Sequence, residues 1–378
     1  MASVDRRPNG KWARWQDYPS GPQRARHFAR KIDGERFLVD VEHRLLSGSY
    51  APPAAGRMRV KDYAAEWMAR RRPGWRESTA QRYERELRLH VFPNLGDWPL
   101  AAVRREHIQR WAADLRLQPT SVAAVAQTLS ALFSAAVEDG RLASNPVSGA
   151  RLPQVVNAPL VPLTSDEVRR FAAGGPDHAR AAVLVAAGTG LRQGELFGLT
   201  VDRIDFLRRE LRVDRQLWTP KRGPAVLAPP KTSNSYRTVA ISGLVAAGLS
   251  AHLATFGARP DGLVFHTPPG GMVVRAQASA YARRAGLASG LGRLVPVEGQ
   301  KRSRYVGAGW HDLRHHHASV LLSKGVSSAL VAERLGHDLK TLLRTYAHVI
   351  RQDDERVRTI VDGTLGGDAE DWLRTETG

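Results

Sequence analysis

Apolar positions set out the elements of this chain. Between Ser121 and Glu138, the residues Val122, Val125, Leu129, Leu132, Phe133 and Ala136 fall on one side of a helix, a sound amphipathic pattern. The surrounding stretch, residues 59–152, reads as all helix. Val60 to Arg70 and Arg105 to Leu115 are two more candidates, and Ser78-x-x-Gln81 carries a capping-box signature opening a helix to about His90. Pro93-Asn94-Leu95-Gly96 breaks the chain, and Asn145-Pro146 marks the exit. Such helices can form a DNA-binding bundle or a structural one, and the pattern does not decide between them.

The flanks read differently. In residues 1–58, Lys11 to Trp15 alternates like a strand, Tyr18-Pro19-Ser20-Gly21 is a turn signal, and Arg24 to Phe28 reads as a second strand. A helix follows from about Asp33 to Leu46, stopped by Ser47-Gly48-Ser49, with Pro52, Pro53 and Gly56 as a linker. Leu152 to Pro162 holds three prolines and no helical period, which suits an interdomain linker (residues 153–162). Thr164-x-x-Glu167 then opens a helix with a capping box and starts the last domain, residues 163–378. Leu211 to Val213 and Arg237 to Ile241 are strand-like, with the turn-rich Thr219 to Ser235 between them. Residues 257–310 read as loop-rich. Helices are expected at about 312–324, 327–335 and 340–346, before an acidic tail with Asp353, Asp354, Glu355, Asp368, Glu370 and Asp371. The fold class is α+β, mainly α.

Composition narrows the function. The chain has 378 residues and a net charge of +19, with a pI near 10.9. A field of that sign attracts polyanions, nucleic acid first, although an Arg-rich coding bias gives the same number. Cys is absent, which excludes disulfides, thiolate zinc sites and cysteine nucleophiles. No apolar run approaches membrane-spanning length and the polar start lacks a signal-peptide core, so a soluble cytoplasmic protein, nucleoid-associated on DNA, is expected.

The candidate chemistry lies in scattered polar residues. Arg192, in Gly188-Thr189-Gly190-Leu191-Arg192, can fork two hydrogen bonds to a phosphate, and Glu195 lies one turn later. Lys231 sits on a turn before a strand, placed to act as a cation or proton donor. His311 and Arg314 are one turn apart and can face one ligand. His337 follows Gly336 at a left-handed helix stop, and Tyr346 lies near the end of a short helix. Alone, each has an ordinary explanation: a surface Arg, a solvated Lys, a capping His, a core Tyr. His311 and His315, with His337 or His348, also have metal-ligand spacing, but the carboxylate base of a His-Glu-x-x-His site is missing. The run His315-His316-His317 is expected to pack or cap in part.

Together, Arg192, Lys231, His311-x-x-Arg314, Leu335-Gly336-His337 and Thr341-x-x-x-x-Tyr346-x-His348 resemble the tyrosine recombinase (phage integrase) family, over Leu163 to about Asp362. The resemblance implies that Arg192, Lys231, His311, Arg314 and His337 surround a DNA phosphate, that Glu195 supports them, and that Tyr346 attacks phosphorus. A covalent tyrosyl ester conserves the linkage, so resealing needs no ATP, and the cations take the place of a metal; no cofactor is expected. Residues 59–152 resemble the family's core-binding domain and residues 1–58 its arm-binding module. Lys11, Arg14, Arg24, Arg26, Lys301, Arg302 and Arg304 are candidate DNA contacts.

The partners implied are double-stranded DNA with core and arm-type attachment sites, and three further copies in a tetramer that exchanges strands through a Holliday junction. The acidic tail is a candidate dock on a neighbouring subunit. An excision factor and a host DNA-bending protein are left open. Two alternatives also stay open at this point: a type IB topoisomerase-like nicking-closing enzyme, and a non-catalytic DNA-binding regulator on the same fold.

Overall fold

The computed structural model describes residues 3–7, 10–16, 23–46, 55–155, 160–220, 223–230, 233–297, 303–350, 354–366 and 368. The turn at 18–21, the stop at 47–49, Pro52, Pro53, Lys231, Lys301, Arg302 and, in the acidic tail, Asp353, Glu370 and Asp371 lie outside them. The chain forms two compact units, Met1–Asn157 and Ala158–Gly378. Both are mostly helical with small antiparallel sheets, an α+β, mainly α architecture.

The first unit opens with the meander β1 (Ser3–Arg7), β2 (Gly10–Gln16) and β3 (Gln23–Phe28), backed by helix α1 (Lys31–Leu46). Ala13 and Trp15 alternate inward on β2 and meet Leu38 and Val41, spaced for one face of α1. The helices α2 (Val60–Arg71), α3 (Glu77–Glu86), α4 (Phe92–Leu95), α5 (Arg105–Asp114) and α6 (Pro119–Glu138) follow. The α6 stripe packs on Tyr63, Trp67, Leu87, Ile108 and Trp111.

Three expectations change here. Ser78 is not a cap: Arg76 occupies that position, and Gln81 Nε2 donates to Glu77 Oε1 at 3.0 Å. Pro93 does not break the chain. Residues 87–91 widen into a π-type turn and the helix runs on through Pro93 to Leu95, so the break falls at Gly96. Finally, α6 is by length and composition apolar enough to cross a membrane, with a mean hydropathy of 1.5. Nine of its residues are buried among the helices of this unit, so its apolarity is that of a core helix.

The second unit runs α7 (Ser165–Gly174), α8 (Asp177–Thr189), α9 (Gln193–Phe197), β4 (Ile204–Asp205), β5 (Glu210–Val213), β6 (Gln216–Trp218), β7 (Val226–Ala228), β8 (Arg237–Ala240), α10 (Gly243–Phe256), α11 (Arg275–Ala288), β9 (Gly292–Pro296), β10 (Ser303–Gly307), α12 (Trp310–Ser323), α13 (Ser328–Leu335), α14 (Leu339–Ile350) and α15 (Asp354–Leu365). The capping box at α7 forms as expected: Glu167 N donates to Thr164 Oγ1 at 3.2 Å, and Thr164 N donates to Glu167 Oε2 at 2.8 Å. In the sheet β4-β5-β8, Leu211 pairs with Val239, and both join Val183, Phe197, Leu249 and Leu313 in the main core. The turn-rich stretch after β5 holds a second hairpin, β6-β7. The region read as loop holds a full helix, α11, and the hairpin β9-β10. α11 buries Ala278, Ala282, Ala285 and Gly286, a face too small-chained to register as hydrophobic periodicity. A smaller core of Ala318, Leu322, Val331, Leu335, Leu342 and Tyr346 joins α12, α13 and α14.

Candidate active site

Two left-handed glycines direct helix ends to one place. α8 stops at Gly190 (φ 67°) and α13 at Gly336 (φ 62°). A Cβ on Gly190 would stand 2.6 Å from Leu335 Cδ2, and one on Gly336 would stand 2.8 Å from the Asn234 carbonyl oxygen. Carbonyls at a helix C-terminus lack intrahelical partners and carry partial negative charge, so they hold cations well. Arg237 Nε donates to Arg334 O at 2.7 Å, Arg314 Nη2 to Leu335 O at 2.7 Å, and Arg192 Nη2 to Gly336 O at 2.7 Å. Three successive carbonyls of one helix end thus hold three arginines. Arg314 Nη1 also reaches Gly190 O at 2.6 Å, tying the two glycine stops together.

One carboxylate braces the group. Glu195 receives Arg192 N at 2.9 Å and Arg192 Nη1 at 2.8 Å, and Arg237 Nη2 at 2.8 Å. Burial pulls its pKa up, but the hydrogen bond and charge of Arg237, with the charge of Arg192, outweigh this and hold it below the usual carboxylate range. Three guanidiniums around one carboxylate leave an excess of positive charge. Arg192 opens to solvent, with 35% of its side chain exposed, while Arg314 is 1% exposed.

The histidines divide by role. His337 Nε2 takes a hydrogen bond from Arg314 Nη2 at 2.8 Å, and an arginine only donates, so this nitrogen carries the lone pair. Burial, with Arg314 and Arg192, pushes the His337 pKa down to about 4, which makes the ring neutral with its proton on Nδ1. Among the described residues, that buried Nδ1 and Arg314 Nε have no hydrogen-bond partner. Burial pushes the Arg314 guanidinium down to about 9, still a cation at neutral pH. His316 and His317 pack, their Nδ1 atoms 2.6 Å from Leu163 O and 3.0 Å from Ala187 O. His311 is the exposed residue of the otherwise largely buried first turn of α12, its ring edge-on to His315 at 4.5 Å between centroids.

Tyr346 lies in the body of α14 rather than near its end. Its ring is fully buried in the small core, yet its hydroxyl lies 2.7 Å from His315 Nδ1. Burial raises the phenol to about 12, against a lowering pull from Arg314.

The phage integrase family profile matches residues 162–353, and the phage integrase central-domain profile matches residues 60–152. The chain belongs to the phage integrase family. It is a site-specific DNA recombinase. The integrase of Mycobacterium phage FRAT1 is 28% identical over 347 residues, covering 86% of this chain and 96% of the phage protein. The Tn1549 transposon integrase, solved with transposon right end DNA, superposes with a TM-score of 0.68 at 23% identity, covering 80% of this chain and 100% of that one. A lambda integrase tetramer solved on a Holliday junction gives 0.55 at 19% identity, covering 90% and 94%.

In this integrase-family chain, Arg192, Glu195, Arg314, His337 and Tyr346 are drawn toward one region, with His311 at its rim. Lys231 lies outside the described residues, on the segment between β7 and β8. Arg304 is exposed on β10. In the first unit, Arg24 and Arg26 pair with Trp15 and Ala13 and share their face of the sheet, while Arg14 pairs with Ala25 on the other face. Arg26 lies over Phe37 at 5.1 Å, so part of its surface serves packing. Lys11 pairs with Phe28, and its side chain lies outside the described set. Sequence reasoning missed Arg237, the second partner of Glu195. It read His315 only as a rival metal ligand beside His311, or as one of a histidine run that packs or caps in part, and not as a partner of Tyr346.

Proposed function

We propose that the second unit cuts and rejoins DNA strands through a 3′-phosphotyrosyl intermediate on Tyr346, integrating or excising a mobile element. The observation that carries this reading is the convergence of Arg192, Arg314 and His337 on the end of α13, with the Tyr346 hydroxyl bonded to the residue that follows Arg314. Arg192, Arg314 Nε and His337 Nδ1 are donors for the non-bridging oxygens, and they stabilise the charge that builds on phosphorus. His311 adds a contact at the rim. Lys231 protonates the departing 5′ oxygen. Glu195 holds the arginines in register.

The relatives supply the wider setting. The Tn1549 and lambda enzymes were solved on DNA, the latter as a tetramer on a Holliday junction. By that likeness, four copies of this chain act on paired attachment sites. Residues 59–152 clasp the core site and residues 1–58 an arm-type site, with an excision factor and a host DNA-bending protein as further partners. The excess of basic residues suits such an assembly.

The test is covalent trapping. Nicked duplexes built from the DNA that flanks the gene release a short strand on cleavage, so the enzyme stays attached. Wild type is expected to form the adduct and Tyr346→Phe is not. Absence of a wild-type adduct on every flanking duplex would favour a DNA-binding regulator over an enzyme.

A further inference from the structure

The proton of the attacking phenol needs somewhere to go. Among the described residues, the one side-chain hydrogen bond of the Tyr346 hydroxyl is to His315 Nδ1, at 2.7 Å. The contact is built in from both sides. α12 packs on α14, and the Tyr346 ring is set among Ala318, Leu322, Leu335 and Leu342, which fixes where its oxygen points. The two rings are tilted at 59° with centroids 5.7 Å apart, and the edge-on contact with His311 supports the other side of the imidazole.

We infer that His315 is a further catalytic residue: its Nδ1 accepts the Tyr346 proton as the phenolic oxygen attacks phosphorus, and returns it when the strand is resealed. The inference rests on Tyr346 being the nucleophile. In cleavage, the Tyr346 O–H bond breaks and the His315 N–H bond forms. The bond from phosphorus to the Tyr346 oxygen forms while the bond from phosphorus to the 5′ oxygen breaks, and that oxygen takes its proton from Lys231. Rejoining reverses each change, so no oxidant, metal or co-reactant enters the balance.

Electrostatics explain why the pair rests neutral. Tyr346 on α14 and His311, Asp312 and Arg314 on α12 are the titratable and charged groups around the imidazole. Burial, with His311 and Arg314, pushes it down to about 4 against the opposing pull of Asp312. Without DNA the proton therefore stays on the phenol, and the enzyme holds no free phenolate. A phosphodiester brings negative charge beside the ring and favours the imidazolium. Bond formation at phosphorus also lowers the basicity of the phenolic oxygen, so the transfer accompanies attack rather than preceding it. His311, at the exposed rim, has no hydrogen bond to the tyrosine among the described residues.

The experiment uses the full chain and two nicked duplexes of the flanking DNA, after the adduct has located the scissile phosphate. One duplex is unmodified, and in the other sulfur replaces the bridging 5′ oxygen. A thiolate leaves without being protonated, so this substrate bypasses the acid but still needs a base. Single-turnover rate constants are read rather than amplitudes, so an inactive fraction does not count. His315→Asn keeps a polar atom near the Nδ1 position but accepts no proton. It is expected to slow both substrates by about 100-fold or more, while Lys231→Ala is slow only on the unmodified one. Losses of less than about tenfold for His315→Asn, or a defect that the sulfur substrate restores, overturn the assignment. A wild type without an adduct, or an adduct from Tyr346→Phe, overturns the nucleophile itself and His315 with it. A wild-type adduct with a fast His315→Asn overturns His315 alone.

Discussion

Arg237 Nη2 donates to Glu195 Oε2 at 2.8 Å, and the two side chains are only 4% and 3% exposed. Through this pair, strand β8 is fixed to the start of α9, and Arg237 Nε carries the connection on to the end of α13. A buried carboxylate that loses one of its two arginines keeps its desolvation cost, with only Arg192 left to offset it. Arg237→Met is therefore expected to destabilise the second unit by about 1–3 kcal/mol, because Arg192 stays paired with Glu195. Replacing both residues also removes the half-compensated carboxylate, so Glu195→Gln with Arg237→Met should lose clearly less than the sum of Glu195→Gln and Arg237→Met taken singly. Urea midpoints of the three variants decide it. A double variant as unstable as the sum of the singles would show that the two side chains do not act as a pair.

Gly336 offers a second, independent handle on the same helix end. Its φ of 62° is strained for any other residue, and the atom an added Cβ would meet is a backbone oxygen, which cannot swing aside. Gly336→Ala should cost roughly 1–3 kcal/mol and slow cleavage by displacing the carbonyls that hold Arg192 and Arg314. Gly363→Ala is the matched control, because a Cβ there meets nothing within 4 Å. Equal thermal shifts in the two variants would remove the Gly336 constraint from the account.

How much of this was legible in the sequence follows from how local each signal is. Arg192 with Glu195, His311 with Arg314, and Gly336 with His337 are short-range pairs whose spacing a reader can test against a helical turn. The convergence of Arg192 and Arg314 could be inferred only through the family resemblance, because the carbonyls that join them belong to a helix 144 residues beyond Arg192. Arg237 was invisible for the same reason. Its partner Glu195 is 42 residues away, and in an Arg-rich chain an arginine at a strand start stands out from nothing. His315 was masked by two neighbours that do pack. α11 was missed because alanines bury a helix face without leaving an apolar stripe.

Metal dependence separates the cationic site from the rival spacing of His311 and His315. Among the described residues, no group of three histidine or acidic side chains stands close enough to hold an ion, and His315 Nδ1 already faces Tyr346. Excess chelator is expected to leave the rate of adduct formation within about twofold of its untreated value. A loss that added zinc restores, and magnesium does not, would assign the histidines to a metal instead.

The buried histidines also set a pH dependence of stability. His315, His317 and His337 are all pushed to about 4 from an ordinary 6.5, each chiefly by burial. The folded form is then the poorer proton acceptor between pH 6.5 and 4. Their stabilisation is complete above about 6.5 and is lost as pH falls through that window. Glu195 works lower: its folded pKa lies below 4.5, so its contribution is present above 4.5 and goes only as pH falls further. His317 is the cleanest probe, being 6% exposed and away from Tyr346. Its Nδ1 faces Ala187 O and its Nε2 faces Arg334 Nε, a donor, so protonation would set two N–H groups against each other. Urea unfolding of wild type should weaken steadily from pH 7 to 5. His317→Gln, which cannot titrate, should flatten that slope by up to about 1.4 kcal/mol per pH unit. An unchanged slope would mean that His317 is already free to protonate in the folded protein.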